Sequence, residues 1–208
     1  MLFEEINICE VTRNHCNNYY AGFGWQNNNY DCKELLQFGY ISGFKEAADT
    51  VVNNMIGAND ALMFPVFFCY RQYLELLLKN IYRLGLRDDV RYKKNIKLTQ
   101  HQLKPLWERA RKYVKAYINN YYNTLTTDQK DKFLSLFENT IFLFHSLDEK
   151  SFNFRYPENK ELEQSIKQDY VGIDFLEMQK LIESIDDVMY YSYDHEGMLN
   201  LTAQTKKR

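Results

Sequence analysis

The chain has little proline, little glycine and few cysteines for its length. Its 208 residues include 3 prolines, 8 glycines and 4 cysteines. Proline removes a backbone donor and breaks helices, so the long proline-free stretches favour a helical fold. The cysteines form no CxxC pair and fit no zinc-module spacing, so we expect reduced thiols and no metal site. They stand at positions 9, 16, 32 and 69.

The chain also lacks an excess charge of one sign and a long apolar run. With 26 Lys and Arg against 28 Asp and Glu, the net charge of −2 implies no bulk attraction to nucleic acid but leaves room for a local basic patch. Apolar stretches such as 61–70 are far shorter than the roughly 20 residues of a membrane span. The start, Met-Leu-Phe-Glu-Glu-Ile, does not look like a signal peptide. We therefore expect a cytoplasmic protein that does not contact a membrane.

Common catalytic and cofactor-binding signatures are absent too. The sequence has no glycine-rich phosphate loop, no GxSxG elbow, no HExxH and no kinase signature, so we expect no cofactor. Aromatic residues are abundant instead, with 17 Tyr and 14 Phe. These rings fit a base-stacking surface or, more simply, an ordinary core and surface.

Apolar residues recur at intervals of three and four along most of the chain, which is the period of an amphipathic α-helix. The pattern predicts an all-α fold, a bundle of about five helices at positions 33–197, with an irregular N-terminal arm at 1–32 and a basic tail at 198–208. We predict helices over 33–54, from Asp60 as N-cap to Gly85, from Thr99 with a capping box to Gln102, from Thr127 or Asp128 to about His145, and after Gly172.

Arg71 is the most informative single residue, because it falls inside the apolar stripe of the second predicted helix. Arginine is rarely buried without a partner. Glu75, one turn later, is the expected partner, and Lys79 follows one turn beyond it. The pattern fits an arginine aimed at a phosphate or another anion, and it also fits a structural Arg–Glu pair inside a bundle.

His101 lies near the start of the third predicted helix, close in sequence to Lys104 and Trp107. The positive end of a helix dipole disfavours protonation, so we expect a neutral imidazole there. Such a group can act as a general base. It can also be a hydrogen-bonded histidine that holds the start of the helix.

The segment that follows the fourth predicted helix alternates aromatic residues at 152, 154 and 156 with polar ones. This period predicts an extended loop whose aromatic side chains anchor one side while Arg155 points to the other. The loop could be a binding site that presents Arg155, Tyr156 and Lys160. It could also simply pack over the bundle, with Arg155 paired to Asp148 or to a helix end.

Three segments occur in a characteristic order: RQYLELLLK at 71–79, HQLKPLW at 101–107 and FRYP at 154–157. Together they resemble the HEPN (higher eukaryotes and prokaryotes nucleotide-binding) superfamily, in particular small bacterial HEPN-like proteins with RxxxELxLK, HxLxxLW and FRYP segments. The resemblance covers roughly residues 35–190. It implies an all-α bundle that often forms homodimers, and a metal-independent ribonuclease of toxin–antitoxin, abortive-infection or CRISPR-linked defence.

In that family an arginine stabilises phosphate charge and a histidine handles the 2′-hydroxyl proton. The candidate catalytic residues are therefore Arg71, His101 and Arg155, and the candidate substrate-binding residues are Glu75, Lys79, Tyr156 and Lys160. The usual spacing is not met, because no arginine in the chain is followed by a histidine after four to six intervening residues. Lys160 and Glu161 stand where a histidine is expected after Arg155.

Three functions are compatible with these features. An RNA-cleaving or RNA-binding HEPN-like protein of a bacterial defence or toxin system predicts that Arg71, His101 and Arg155 meet in one polar cleft. A non-catalytic HEPN-like module, which binds a nucleotide or docks onto an antitoxin or larger effector protein, predicts that Glu75 saturates Arg71. A plain helical interaction protein predicts a large exposed aromatic patch without a basic cleft.

Overall fold

The structure is a computed structural model that describes residues 32–57, 59–87, 99–158, 163–166 and 172–192. The chain divides into two units, 1–33 and 34–208, and almost every described residue belongs to the second unit. Lys160, the C-terminal tail and all of the predicted N-terminal arm except Cys32 lie outside the described residues.

The described residues form five α-helices and no strand, which confirms the predicted all-α class. The helices are α1 (Cys32–Asn53), α2 (Asp60–Arg87), α3 (Leu103–Tyr121), α4 (Thr127–Leu147) and α5 (Phe175–Met189), and a short 3-10 turn follows at Tyr190–Ser192.

Helix α2 is the central element of the bundle. Its buried side chains cover more than half of its circumference and include Phe67, Tyr70, Leu74 and Leu78. Helix α3 packs against both α2 and α4, and α5 packs against α4. Because α2 is enclosed on several sides, even a polar residue at the edge of its apolar stripe is drawn into the core.

The length and composition of α2 would also allow it to cross a membrane, because an 18-residue window within Asp60–Leu86 has a mean hydropathy of 1.2. Half of that window is buried inside the protein, as in the core helix of a soluble domain. Among the described helices it is the one that passes this test. The cytoplasmic location therefore stays a prediction.

Two predicted N-caps are wrong, that of α2 by one residue and that of α3 by three. The N-cap of α2 is Asn59 rather than Asp60, because Asn59 Oδ1 accepts the backbone N–H of Ala61 at 3.1 Å. Helix α3 begins at Leu103, and its N-cap Gln102 makes no side-chain cap bond, so the predicted capping box from Thr99 is absent.

A capping box does occur at the start of α4. The side chain of Thr126 accepts the backbone N–H of Gln129 at 3.3 Å, and the side chain of Gln129 accepts that of Thr126 at 2.9 Å. The start of α3 needs no such box, since the residues before it are held by contacts to α2.

The predicted end of α2 at Gly85 is also wrong, because the helix continues to Arg87. A Cβ atom at position 85 would overlap the ring of Tyr113 on α3. Glycine at this position therefore serves the close approach of two helices rather than helix termination.

Candidate functional site

Arg71 is completely buried, with 0% of its surface exposed. Its Nη1 donates to Glu75 Oε2 at 3.0 Å, its Nη2 to the carbonyl of His101 at 2.8 Å, and its Nε to the carbonyl of Asp148 at 3.2 Å. The Arg–Glu pair expected from the sequence is therefore present. Since all three guanidinium nitrogens bind inside the protein, Arg71 does not offer them to a phosphate in solvent.

Asp148 is a partner of Arg71 that sequence reasoning missed. This fully buried residue follows the last residue of α4, and its Oδ2 lies 3.5 Å from Arg71 Nε. Its Oδ1 accepts the backbone N–H groups of Phe152 at 2.8 Å and Asn153 at 3.1 Å. One carboxylate thus joins α2 to the turn after α4. Because Asp148 and Arg71 are 77 residues apart, no local pattern could have indicated the contact.

Glu75 gathers donors from three side chains although it is almost fully buried. Its Oε2 binds Arg71, and its Oε1 accepts Lys79 Nζ and His101 Nδ1, each at 2.8 Å. Burial raises the pKa of Glu75, but the hydrogen bond and charge of Lys79, followed by the contacts to His101 and Arg71, outweigh this and lower the pKa below its ordinary value of 4.5. Glu75 is therefore a carboxylate at neutral pH.

His101 brings this buried network to the surface, since its side chain is 60% exposed. An ionised carboxylate can only accept hydrogen bonds, so Nδ1 of His101 carries the hydrogen that is donated to Glu75. In the neutral ring, Nε2 is then left with a free lone pair. A carboxylate that holds the Nδ1–H of an exposed histidine is the arrangement that orients a general base.

Lys79 stands beside His101, because both nitrogens bind the same oxygen of Glu75. The side chain of Lys79 is 14% exposed, so this residue of α2 reaches the surface. His101, on the segment before α3, reaches the surface in the same region. A phosphate close to the imidazole would also be close to this ammonium group.

The segment after α4 is a turn, and the predicted extended loop is wrong. The backbone N–H groups of Arg155 and Tyr156 both donate to the carbonyl of Phe152, at 3.0 and 3.3 Å. Ser151 adopts a φ of 60°. Because Asp148 draws in two backbone amides, the chain bends, and the aromatic residues no longer share one side: Phe154 is buried while Tyr156 is 52% exposed.

Arg155 lies on the same side of α2 as Glu75, but further toward the start of the helix. Its guanidinium carbon is 6.0 Å from the ring centroids of Phe68 and Tyr156, and its Nη2 donates to the carbonyl of Ser151 rather than to Asp148. Phe68 precedes Glu75 by two turns, which is about 10 Å along the axis. Arg71 and His101 are therefore brought together by a direct hydrogen bond, whereas Arg155 lies against Phe68, about 10 Å along the helix axis from Glu75 and its contact to His101.

The anchor residues of these groups follow one another along a single stripe of α2. They are Phe64, Phe68, Gln72, Glu75 and Lys79, spaced by four, four, three and four residues, and we call them the 64–79 face. Arg155 lies over Phe68 in its first half and beside Tyr156. Gln72 binds Ser151 Oγ at 3.2 Å in the middle, and His101 binds Glu75 in the second half.

Other titratable groups contribute less to the site. His145 is half-buried, and burial lowers its pKa more than Glu149 raises it. Cys69 is a free thiol. Within the described ranges, no group of three or more His, Cys, Asp and Glu side chains could hold a metal ion.

A basic groove runs between α3 and α4, with a volume of about 460 Å³. It is lined by Arg111, Lys112 and Lys115, with Glu108 and Asp131 as carboxylates. Its lining carries three cations against two carboxylates, which is a small local excess of positive charge. The sequence analysis did not predict this groove, although the sequence of α3 contains five cations and one carboxylate. The cations are Lys104, Arg109, Arg111, Lys112 and Lys115, and the carboxylate is Glu108.

Comparison with known proteins gives no relative for this chain. No protein-family model, no curated protein and no solved structure matches it. The functional argument therefore depends on the geometry of the chain itself.

Proposed function

We propose that the protein is a HEPN-like module that acts on RNA and that His101, oriented by Glu75, is its proton-transferring residue. The observation that carries this proposal is the 2.8 Å contact between the buried Glu75 Oε1 and Nδ1 of the exposed imidazole. The order of the three HEPN-like sequence segments supports it, because the first two segments supply Glu75 and His101.

In the proposed reaction, Nε2 of His101 accepts the proton of a ribose 2′-hydroxyl, and the 2′-oxygen attacks the adjacent phosphorus. The bond between phosphorus and the 5′-oxygen breaks, which leaves a 2′,3′-cyclic phosphate. The departing 5′-oxygen takes its proton from the imidazolium or from water. Glu75 stabilises the imidazolium, and Lys79 supplies positive charge beside the phosphate.

Arg71 acts in this proposal as a positioning residue. One of its nitrogens holds the carboxylate of Glu75 and another holds the main-chain carbonyl of His101. Both members of the dyad are thus tied to one buried cation, so the imidazole is oriented before a substrate binds.

The groove between α3 and α4 offers a path for the RNA backbone. Phosphate contacts make binding weaken as salt rises, with a slope of about 0.7 per contact for single strands. Replacing Lys112 and Lys115 by Gln should therefore lower the slope of log affinity against log salt by up to about 1.4. Fluorescence anisotropy across a salt series measures this slope, and an unchanged slope would exclude the groove as the path.

Cleavage of single-stranded RNA in EDTA tests the proposed chemistry. The wild-type protein should produce 2′,3′-cyclic phosphate ends, and His101→Ala should lose this activity while circular dichroism shows an intact fold. His145→Ala is the matched control, because His145 lies outside the dyad, and it should cleave as the wild type does. Full cleavage by His101→Ala would exclude the proposed role of this histidine.

A non-catalytic binding module is the second candidate. It is favoured by the complete burial of Arg71, since the arginine that would stabilise phosphate charge has all its nitrogens bound inside the protein. The same assay separates the two candidates. RNA that is bound but left intact by well-folded wild-type protein, across several sequences, would favour the binding module.

The HEPN-like resemblance extends the proposal to a cytoplasmic homodimer of a bacterial antiviral defence or toxin–antitoxin system, with an antitoxin or a larger effector protein as partner. Sedimentation equilibrium of the purified chain tests the dimer. A monomer at all concentrations would require that the site work within one chain.

A further inference from the structure

Aromatic side chains crowd the surface at the start of the 64–79 face. Tyr156 is 52% exposed and Phe64 is 42% exposed. Each ring packs against a second aromatic ring. The ring centroids of Phe64 and Phe154 are 6.3 Å apart, and those of Tyr156 and Phe152 are 4.9 Å apart. Because their neighbours fix them, these exposed rings lose little conformational freedom when a flat ligand covers them.

This surface is anchored in the core. Phe154 stacks on the fully buried Phe67 with 4.0 Å between ring centroids, and Phe67 in turn stacks on Phe144 of α4 at 4.4 Å. The turn that carries Tyr156 is also fixed by the hydrogen bonds that the backbone N–H groups of Phe152 and Asn153 donate to Asp148. The aromatic surface is therefore a rigid platform rather than a loose loop.

Arg155 adds a cation to this platform. Its guanidinium lies 6.0 Å from the ring centroids of both Phe68 and Tyr156. Within the part of the chain that the structure describes, it donates one hydrogen bond, to the carbonyl of Ser151. A guanidinium has five N–H donors, so Arg155 can still bind an anion or a ring acceptor from solvent.

Flat rings beside a guanidinium suit a ligand that is itself flat, aromatic and attached to an anion. A base of single-stranded RNA with its phosphate has this chemistry, since bases stack on aromatic side chains and on arginine. The position of the platform supports this ligand over a second protein copy. It lies on the same face of α2 as His101 and Lys79, about two to three helical turns from Glu75, which holds His101, so that one strand can reach both places.

We propose that Phe64, Arg155 and Tyr156 form a stacking subsite that holds one base of the RNA while a linkage farther along the same strand lies at His101. This inference rests on the proposed function, because it assumes RNA as the ligand. It adds a base-contacting platform to a site otherwise made of charges. Loss of stacking on one base should raise Kd by about 5- to 150-fold.

The test uses oligo(U) with 2′-O-methyl groups, which lacks the attacking hydroxyl, and an abasic oligomer of the same length and charge. Binding to the full chain is measured by fluorescence anisotropy, so the result does not depend on cleavage. Tyr156→Ala should weaken binding of the base-bearing oligomer within that range and leave the abasic one unchanged, and Tyr156→Trp should restore it. Leu176→Ala, which removes an exposed apolar side chain of α5, is the control and should change neither.

Equal affinity of wild type and Tyr156→Ala for the base-bearing oligomer would overturn the subsite. If His101-dependent cleavage still occurred, the proposed function would stand without it. A shift from dimer to monomer on sedimentation of Tyr156→Ala, with no base-dependent change in binding, would also overturn it and make the platform an interface between copies. Failure of the wild type to bind either oligomer would overturn both proposals.

Discussion

Two polar networks involve the same turns of α2 but lie on opposite sides of the helix. They differ in the type of side chain that α2 contributes. On one side, Tyr70 donates to Asp49 Oδ1 at 2.6 Å and Tyr73 donates to Asp186 Oδ1 at 2.8 Å. Lys45 lies 2.7 Å from Asp49 and 3.7 Å from Asp186. Here α2 contributes only neutral donors, and the charges stand on α1 and α5.

On the other side, the arginine network places charges within α2 itself, with Arg71 fully buried against Glu75 and Asp148. Burying ion pairs is expensive, and apolar replacements of such groups are often no less stable. Tyrosine hydroxyls would connect helices at a lower desolvation cost, as they do on the opposite side. The difference is consistent with the proposed role of the charged network in orienting His101.

The largest effect should follow from Arg71→Leu. Removing the guanidinium leaves the buried carboxylate of Asp148 without its cation, and it leaves Glu75 with Lys79 and His101 as its donors. Loss of one partner from a buried ion pair typically costs about 3–5 kcal/mol. Urea unfolding followed by circular dichroism measures the change, and an unaltered midpoint would contradict the buried network.

A smaller effect should follow from the matched change on the other side, Tyr70→Phe. Burial and the hydrogen bond to Asp49 raise the pKa of Tyr70 well above its usual range, so its hydroxyl is a neutral donor at any ordinary pH. Asp49 keeps Lys45 and Gln179 as partners after the change. The loss should be about 0.5–1.5 kcal/mol in the same urea experiment. A loss equal to that of Arg71→Leu would remove the contrast between the two networks.

The smallest effect concerns pH. The folded-state pKa of Glu75 is depressed, so its contribution to stability is present above the ordinary value of 4.5 and is lost as the pH falls through the folded-state pKa. The difference in unfolding free energy between wild type and Glu75→Gln should therefore be constant near neutral pH and shrink in acid. Urea titrations from neutral pH down to about pH 3 measure it. A difference that grows on acidification would contradict the lowered pKa.

The sequence predicted the parts of this structure that depend on local periodicity. All five helices were expected from the spacing of apolar residues, and the Arg71–Glu75 pair from its position in the stripe of α2. Helix starts were less accurate, because Asn59 and Asp60 are both good caps and only the backbone geometry selects between them.

The features that failed depend on distant contacts. The alternation of residues 152–156 predicted an extended loop, but Asp148 draws two backbone amides toward itself and bends the chain. Asp148 was one of the predicted partners of Arg155. In the structure, the Asp148 carboxylate lies beside Arg71 of α2 instead. The contact between Glu75 and His101 joins residues 26 positions apart, and no local pattern in the sequence indicated this contact.

The tautomer of His101 is the most direct test of the central claim that a buried carboxylate presents this histidine as a base. Long-range ¹⁵N–¹H NMR of the ring, with His101→Gln to assign its signals, reports which nitrogen carries the hydrogen in the neutral form. We predict a hydrogen on Nδ1 and a free lone pair on Nε2, and this preference should be lost in Glu75→Gln. A neutral ring with its hydrogen on Nε2 in the wild-type protein would contradict the proposed role of Glu75.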